Sequence, residues 1–342
     1  MSKVLLTGGS GFIAAHILDQ LLKKGHNVVT TVRSEEKASK IREAYPDKTQ
    51  HQLHVVIVPD IAQPDAFDEV VEVPGLEVVI HTASPFHFKF TDPKKDLIDP
   101  AVIGTTGILK GIARSAPGVK RVVVTSSFAA LLDGARMSDP NTTFTEKSWN
   151  PVTIDQIHDD PGTAYRASKT LAERAAWDFV ADKSNGAKFD IVTVNPPLVF
   201  GPLVHHLANL NSVNTSNQRI LNCIQGKWKS EVEATGGAQS WVDVRDVAAA
   251  HVKAALEIPE AAGHRLFTVT GSFCNRYVLD IVRKNFPEYA DKLPAEDVKG
   301  GEPAENVYKT DNTETKKLLN IQWTPLEKSI VDTVKSLQAY GA

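Results

Sequence analysis

Cysteine is scarce in this 342-residue chain: there are two, Cys223 and Cys274, far apart in sequence. That excludes a disulfide scaffold and a thiolate metal centre, and leaves isolated reduced thiols. Neither sign of charge is in excess, with 38 Lys+Arg against 41 Asp+Glu and a net charge of −3. No basic field for nucleic acid and no polybasic membrane signal follow from such a balance. Long hydrophobic runs are missing as well, and none approaches the ~18 residues of a membrane-spanning helix. Met1-Ser2-Lys3 leads straight into Val4-Leu5-Leu6 and then into glycines, a stretch too short for a signal-peptide core. The expected location is cytoplasmic. Whole-chain disorder is excluded by 42% hydrophobic and 23% charged residues. At roughly 150 residues per domain, the length suggests two domains, or one large domain with an appended lobe.

What is present is an alternation of short apolar runs and helical periods. Val4–Thr7 reads as a strand, and Phe12–Lys24 as a helix with Ile13, Ile17, Leu21 and Leu22 on one face, stopped by Gly25. Further strands are expected at Asn27–Val32, Leu53–Val58, Val78–Thr82, Arg121–Thr125 and Asp190–Val194. Helices are expected at Glu35–Tyr45, Ala101–Ser115 and Thr163–Ala181. Strands spaced by helices predict an α/β fold with a parallel sheet covered on both faces. After residue 195 the character changes. Gly201–Gln218 is polar and Asn-rich, and then come Ser240–Val244, a helix at Val247–Leu256, a strand at Leu266–Thr270 and three more helical stretches. The expected division is a dinucleotide-binding domain over 1–195 and a substrate-binding lobe over 196–342, interleaved at the boundary.

Thr7-Gly8-Gly9-Ser10-Gly11-Phe12-Ile13-Ala14 joins the first strand to the first helix. A strand turning sharply into a helix presents free backbone N–H groups and the positive end of the helix dipole. Gly8 and Gly11 leave a pyrophosphate room to approach, and Ala14 lets helix and strand pack closely. At the end of the second strand an NAD enzyme usually places a carboxylate. Here the run Val28-Val29-Thr30-Thr31-Val32 ends in Arg33, with Lys37 four residues on. A guanidinium can pair with a 2′-phosphate through two hydrogen bonds, so the expected cofactor is NADP(H). Asp60 and Ile61, after the third strand, are expected beside the adenine, with Asp60 accepting from its amino group. Thr82-Ala83-Ser84, after the fourth, is expected to run along the adenosine and pyrophosphate.

Tyr165 and Lys169 share a helix face at i, i+4. A free phenol titrates near ~10, and a neighbouring ammonium together with an oxidised nicotinamide is expected to draw it toward the working range. Some forty residues earlier the RVVVT strand ends in Ser126-Ser127, at the sheet edge where ligands bind. Spacing does not decide between the two serines. Phe86, Phe128 and Leu198 are apolar positions following motif strands and are the expected substrate-pocket walls. The stretch Leu203–Asn217 is either a lid or a surface loop. His205 and His206 within it are adjacent, so their side chains point apart, and no metal site is expected.

Together these residues resemble the extended short-chain dehydrogenase/reductase family, over almost the whole chain. TGGSGFIA at 7–14, TSS at 125–127, YRASK at 165–169, NPPLVFGP at 195–202 and WVDVRDVAAAH at 241–251 carry the resemblance. TVRS at 31–34, HTASPF at 81–86 and TSSFAAL at 125–131 are similar to its dihydroflavonol-reductase-like branch, and within it to fungal NADPH-dependent aldehyde/ketone reductases of the methylglyoxal type. The resemblance implies a Rossmann-type doubly wound sheet. It also implies that Ser127 binds a substrate carbonyl, Tyr165 donates the proton and Lys169 holds the nicotinamide ribose. Pro196, Val199 and the loop residue Ser216 are then cofactor contacts. Expected partners are a small-molecule aldehyde or ketone, with no nucleic acid and no membrane, in a monomer or homodimer. Two alternatives stay open. A nucleotide-sugar epimerase or dehydratase shares the glycine turn and the Tyr/Lys pair but retains NAD. A non-catalytic NADP-binding sensor could dispense with Tyr165 or Lys169.

Overall fold

The computed structural model describes residues 1–84, 91–157, 160–204 and 209–342. Its order begins β1 (Lys3–Thr7), α1 (Phe12–Lys23), β2 (Asn27–Val32), α2 (Glu35–Ala44), β3 (Leu53–Ile57), a single turn α3 (Asp68–Val71) and β4 (Leu76–His81). It continues through α4 (Asp99–Ser115), β5 (Arg121–Thr125), β6 (Thr143–Phe144), α5 (Pro161–Ala181), β7 (Asp190–Val194), β8 (Leu198–Phe200), α6 (Thr215–Ile224), β9 (Ser240–Asp243) and α7 (Val244–Leu256). The last elements are β10 (Arg265–Leu266), β11 (Gly271–Ser272), α8 (Asn275–Asn285), β12 (Lys309–Thr310), α9 (Thr313–Leu319) and α10 (Leu326–Gln338).

Seven strands form one parallel sheet in the order β10-β7-β5-β4-β1-β2-β3. The direction of winding reverses between β1 and β4, which makes their carboxyl ends the crevice of a doubly wound α/β fold. Period-2 alternation explains why the strand sequences are continuously apolar. Val4, Leu6, Val28, Val78 and Ile80 face a core shared with α1 and α7. Leu5, Val29 and Val79 face a second core with α4 and α5. Both faces are covered, so most positions of the central strands are buried, and exposed ones such as His54 and Ile57 are confined to the edge strand β3 and the strand ends. Arg121 fastens the amino-terminal edge. It donates to Asp190 through Nε (2.6 Å) and Nη2 (3.1 Å), and to the carbonyls of Ala254 and Ile258 at the end of α7 (2.7 Å each).

Beyond residue 195 a second sheet, β11-β9-β8, is built on a separate core that includes Phe200, Trp228, Trp241 and Phe273. The strand expected at Leu266–Thr270 is divided. Arg265–Leu266 returns to the large sheet beside β7, and the chain pairs again only at Gly271–Ser272, against β9. Among its described residues, part of the Asn-rich stretch is regular: Leu210–Ser212 is a 3-10 turn and α6 starts at Thr215. Among the described residues, no helix is long and apolar enough to cross a membrane.

Candidate active site

The glycine turn is tight on its own account. Gly8 has φ +73°, and a Cβ there would lie 3.1 Å from the Ala83 backbone. A Cβ on Gly9 would come within 2.1 Å of Thr30 Oγ1, so no side chain fits. Gly9 N–H donates to Thr31 O (2.9 Å) and Thr30 Oγ1 to Leu6 O (2.9 Å), which binds the turn to β2. Gly11 caps α1 without a side-chain hydrogen bond, and no acidic residue stands in the first turn. The helix therefore offers its first N–H groups and an unopposed dipole to an anion. Ser10, Phe12 and Ile13 line the same turn and are half-buried, while Ala14 is buried against the sheet.

Beside this turn lies a cavity of about 410 Å³, whose polar lining includes Gly9, Ser10, Arg33, Lys37 and Lys40 together with one carboxylate, Glu36. Burial, and then the charge of Arg33, hold the Lys37 ammonium below its usual pKa. Like charges gathered around a space are stabilised by an anion, and this cluster fits the 2′-phosphate expected from Arg33 and Lys37. Lys40, which sequence reading passed over, lies one turn beyond Lys37 on the same helix face, bonded to Glu36 at 2.6 Å. Across β3, Ile61 packs against Gly104 of α4. Asp60 is exposed beyond the end of β3. Its two oxygens accept from Ala62 N (2.9 Å) and Gln63 Nε2 (2.7 Å), so the carboxylate is turned into its own loop.

Ser127, half-buried at the end of β5, has an extended backbone and accepts from Ala129 N at 3.1 Å. Its side chain is hydrogen-bonded to the Tyr165 phenol. Lys169, one turn further along α5, donates to Ser84 Oγ at 2.8 Å, and its Nζ stands 6.0 Å from the Tyr165 ring centre. Burial raises the phenol pKa, partly offset by Ser127, and no lowering by Lys169 is present. The ammonium is directed at the Ser84 hydroxyl rather than at the phenol. Burial lowers Lys169 itself to about 8.

Ser126 turns away from the cleft, with its hydroxyl donating to the buried Glu173. That carboxylate also receives Asn195 Nδ2 (2.7 Å), Thr193 Oγ1 (3.1 Å) and Arg265 Nε (2.6 Å). Asn195 Nδ2 reaches Ser127 O as well (3.2 Å), so this network sets the serine pair against α5. Its only trace in the sequence is the Asn before Pro196. Pro196 O accepts from Phe128 N at 2.8 Å. Ser216 is a buried residue of α6 rather than a loop residue, and its hydroxyl accepts from Val199 N at 3.1 Å. Phe128 does not face a pocket: its ring is 4% exposed and packs among Phe144, Phe267 and Tyr308. Leu198 is half-buried at the start of β8, opposite Trp241. Phe86, His205 and His206 lie outside the described residues.

The model of the "NAD dependent epimerase/dehydratase family" matches residues 4–269. A ketoreductase of Aspergillus niger is 45% identical over 98% of this chain and 97% of its own length. The NADPH-dependent methylglyoxal reductase of Saccharomyces cerevisiae is 39% identical, with 98% and 97% covered. A crystal structure of yeast methylglyoxal/isovaleraldehyde reductase complexed with NADPH superposes with a TM-score of 0.89 at 36% identity, covering 99% of each chain.

Proposed function

Since this chain belongs to the NAD dependent epimerase/dehydratase family, we infer that it is an NADPH-dependent carbonyl reductase, converting an aldehyde or ketone to an alcohol. The observation that carries this reading is the Ser127–Tyr165–Lys169 constellation at the sheet crevice, joined to an NADP-type cation cluster at Arg33 and Lys37. Thr7–Ile13 would cradle the pyrophosphate, with Arg33 and Lys37 at the 2′-phosphate. Thr82, Ala83, Ser84, Tyr165, Lys169, Pro196, Val199 and Ser216 would line the rest of the cofactor, with Ile61 near its adenine. When bound, NADPH supplies the hydride.

The chain's own groups do the remainder. The Ser127 hydroxyl, polarised by the Ala129 N–H, hydrogen-bonds the carbonyl oxygen of the substrate. Tyr165, whose burial keeps the phenol protonated at neutral pH, donates its proton to that oxygen as negative charge develops there. Lys169 holds its side of the cleft through Ser84. Leu198 borders the substrate, which is a small molecule. The epimerase reading is not favoured, because the second strand ends in a cation and lacks the acid that suits a retained NAD. Nor is a non-catalytic sensor, since Tyr165 and Lys169 are both in place.

Tyr165→Phe tests the assignment. Turnover is expected to fall by at least about a thousandfold while the NADPH dissociation constant changes little. Turnover near the wild-type value would remove Tyr165 from the role.

A further inference from the structure

His81 closes β4 and pairs directly beside Thr7 of β1, at the strand reversal. Its Nδ1 lies 2.9 Å from Thr7 Oγ1. The same hydroxyl oxygen accepts from Thr82 N and Ala83 N, each at 3.1 Å. A hydroxyl has one proton and two lone pairs. Both lone pairs are used by backbone N–H groups, so the proton goes to His81 Nδ1, and that nitrogen is the acceptor. Nε2 then carries the ring hydrogen. It makes no hydrogen bond, and the ring stands edge to face against Phe67, with centroids 5.5 Å apart at 85°. Thr82 Oγ1 completes the clasp by donating to Thr7 O at 2.5 Å.

We propose that His81 is a positioning residue for the cofactor cradle: acting through the Thr7 hydroxyl, it fixes the Thr82-Ala83-Ser84 segment against the glycine turn and beneath Lys169. Two neighbours show what the clasp holds. Ala83 is the backbone that leaves no room for a side chain at Gly8. Ser84 accepts the Lys169 ammonium at 2.8 Å. A neutral acceptor suits this place better than a carboxylate, which would pair with Lys169 and draw it off Ser84. Burial, with the charge of Lys169 added, holds His81 down to about 3, so the ring stays neutral at any working pH.

This inference rests on reading the glycine turn and Lys169 as cofactor-binding, and its test separates the two. NADPH is titrated into the full chain by fluorescence, with melting temperature measured alongside. His81→Phe and Thr7→Val, which remove the acceptor and the hydroxyl, are expected to weaken NADPH binding about tenfold. His81→Asn, whose amide oxygen replaces Nδ1, and Thr7→Ser, which keeps the hydroxyl, are expected to bind within about threefold of wild type. The Michaelis constant for the carbonyl substrate at saturating NADPH should move little in the two His81 variants. Folded His81→Phe or Thr7→Val protein that binds NADPH like wild type would overturn the inference. So would an equal loss in Thr7→Ser and Thr7→Val, since packing and not the hydroxyl would then be responsible. A wild-type chain that binds no NADPH would instead overturn the functional reading.

Discussion

Tyr165 and Lys169 stand one helical turn apart, yet burial acts on them in opposite directions. It keeps the phenol protonated and pushes the ammonium down to about 8. The phenol thus holds the proton that carbonyl reduction needs, and the Ser127 hydrogen bond, which works against the upward shift from burial, makes it the easier to give. The cation cluster makes a separate claim about the cofactor. Arg33→Ala is expected to raise the NADPH Michaelis constant by about tenfold or more while leaving that for NADH nearly unchanged. Equal effects on both cofactors, in steady-state kinetics, would reject a 2′-phosphate partner. Much of this was legible in the sequence, because i, i+4 spacing and a missing carboxylate are local facts. Phe128 was not legible. A phenylalanine beside a catalytic serine reads the same whether it faces a cleft or the core, and here Phe144, Phe267 and Tyr308, from distant segments, receive the ring. Nor could sequence reveal that the Asp60 carboxylate folds back on its own turn.

At the level of elements, the β1–α1 turn shows how a local motif acquires tertiary necessity. Its glycines read from the sequence as room for a ligand. In the structure Gly9 is equally a requirement of β2, because Thr30 Oγ1 occupies the place its Cβ would take. Gly9→Ala is expected to lower the melting temperature by several degrees and weaken NADPH binding. Adding Thr30→Ala, which removes that hydroxyl, should recover part of both losses. An additive double mutant in thermal melts and NADPH titrations would contradict the steric account. The sheet itself was readable strand by strand, since two buried faces demand unbroken apolar runs. The region after residue 195 was less so. Arg265–Leu266 and Gly271–Ser272 are too short for periodicity to show that they join different sheets. α6 was hidden because its buried side includes polar Ser216 and Asn217, which bond to β8 and its exit.

Across the whole molecule, buried polar groups as well as apolar packing join segments that are distant in sequence. Asp246 on α7 receives Thr324 N (2.7 Å) and Thr324 Oγ1 (3.0 Å), tying the approach to α10 to the large sheet's helical layer. Burial raises this carboxyl from 3.8 to about 6. Below the lower value both folded and unfolded chains hold the proton. Between the two values only the folded chain does, so this group's contribution to stability falls as pH rises through that window and is constant above it. Asp246→Asn should therefore gain stability relative to wild type between about pH 4 and pH 7, by at most about 3 kcal/mol. A difference in unfolding free energy that does not change with pH would show the carboxyl to be unshifted. Everything above converges on one expectation, that this chain reduces carbonyl compounds at the expense of NADPH. Its most direct test is the stoichiometry of NADPH oxidation with a panel of aldehydes and ketones. Net NADPH consumption matched by alcohol formed is expected, with loss of both in Tyr165→Phe. Interconversion of nucleotide sugars without net consumption of cofactor would contradict it.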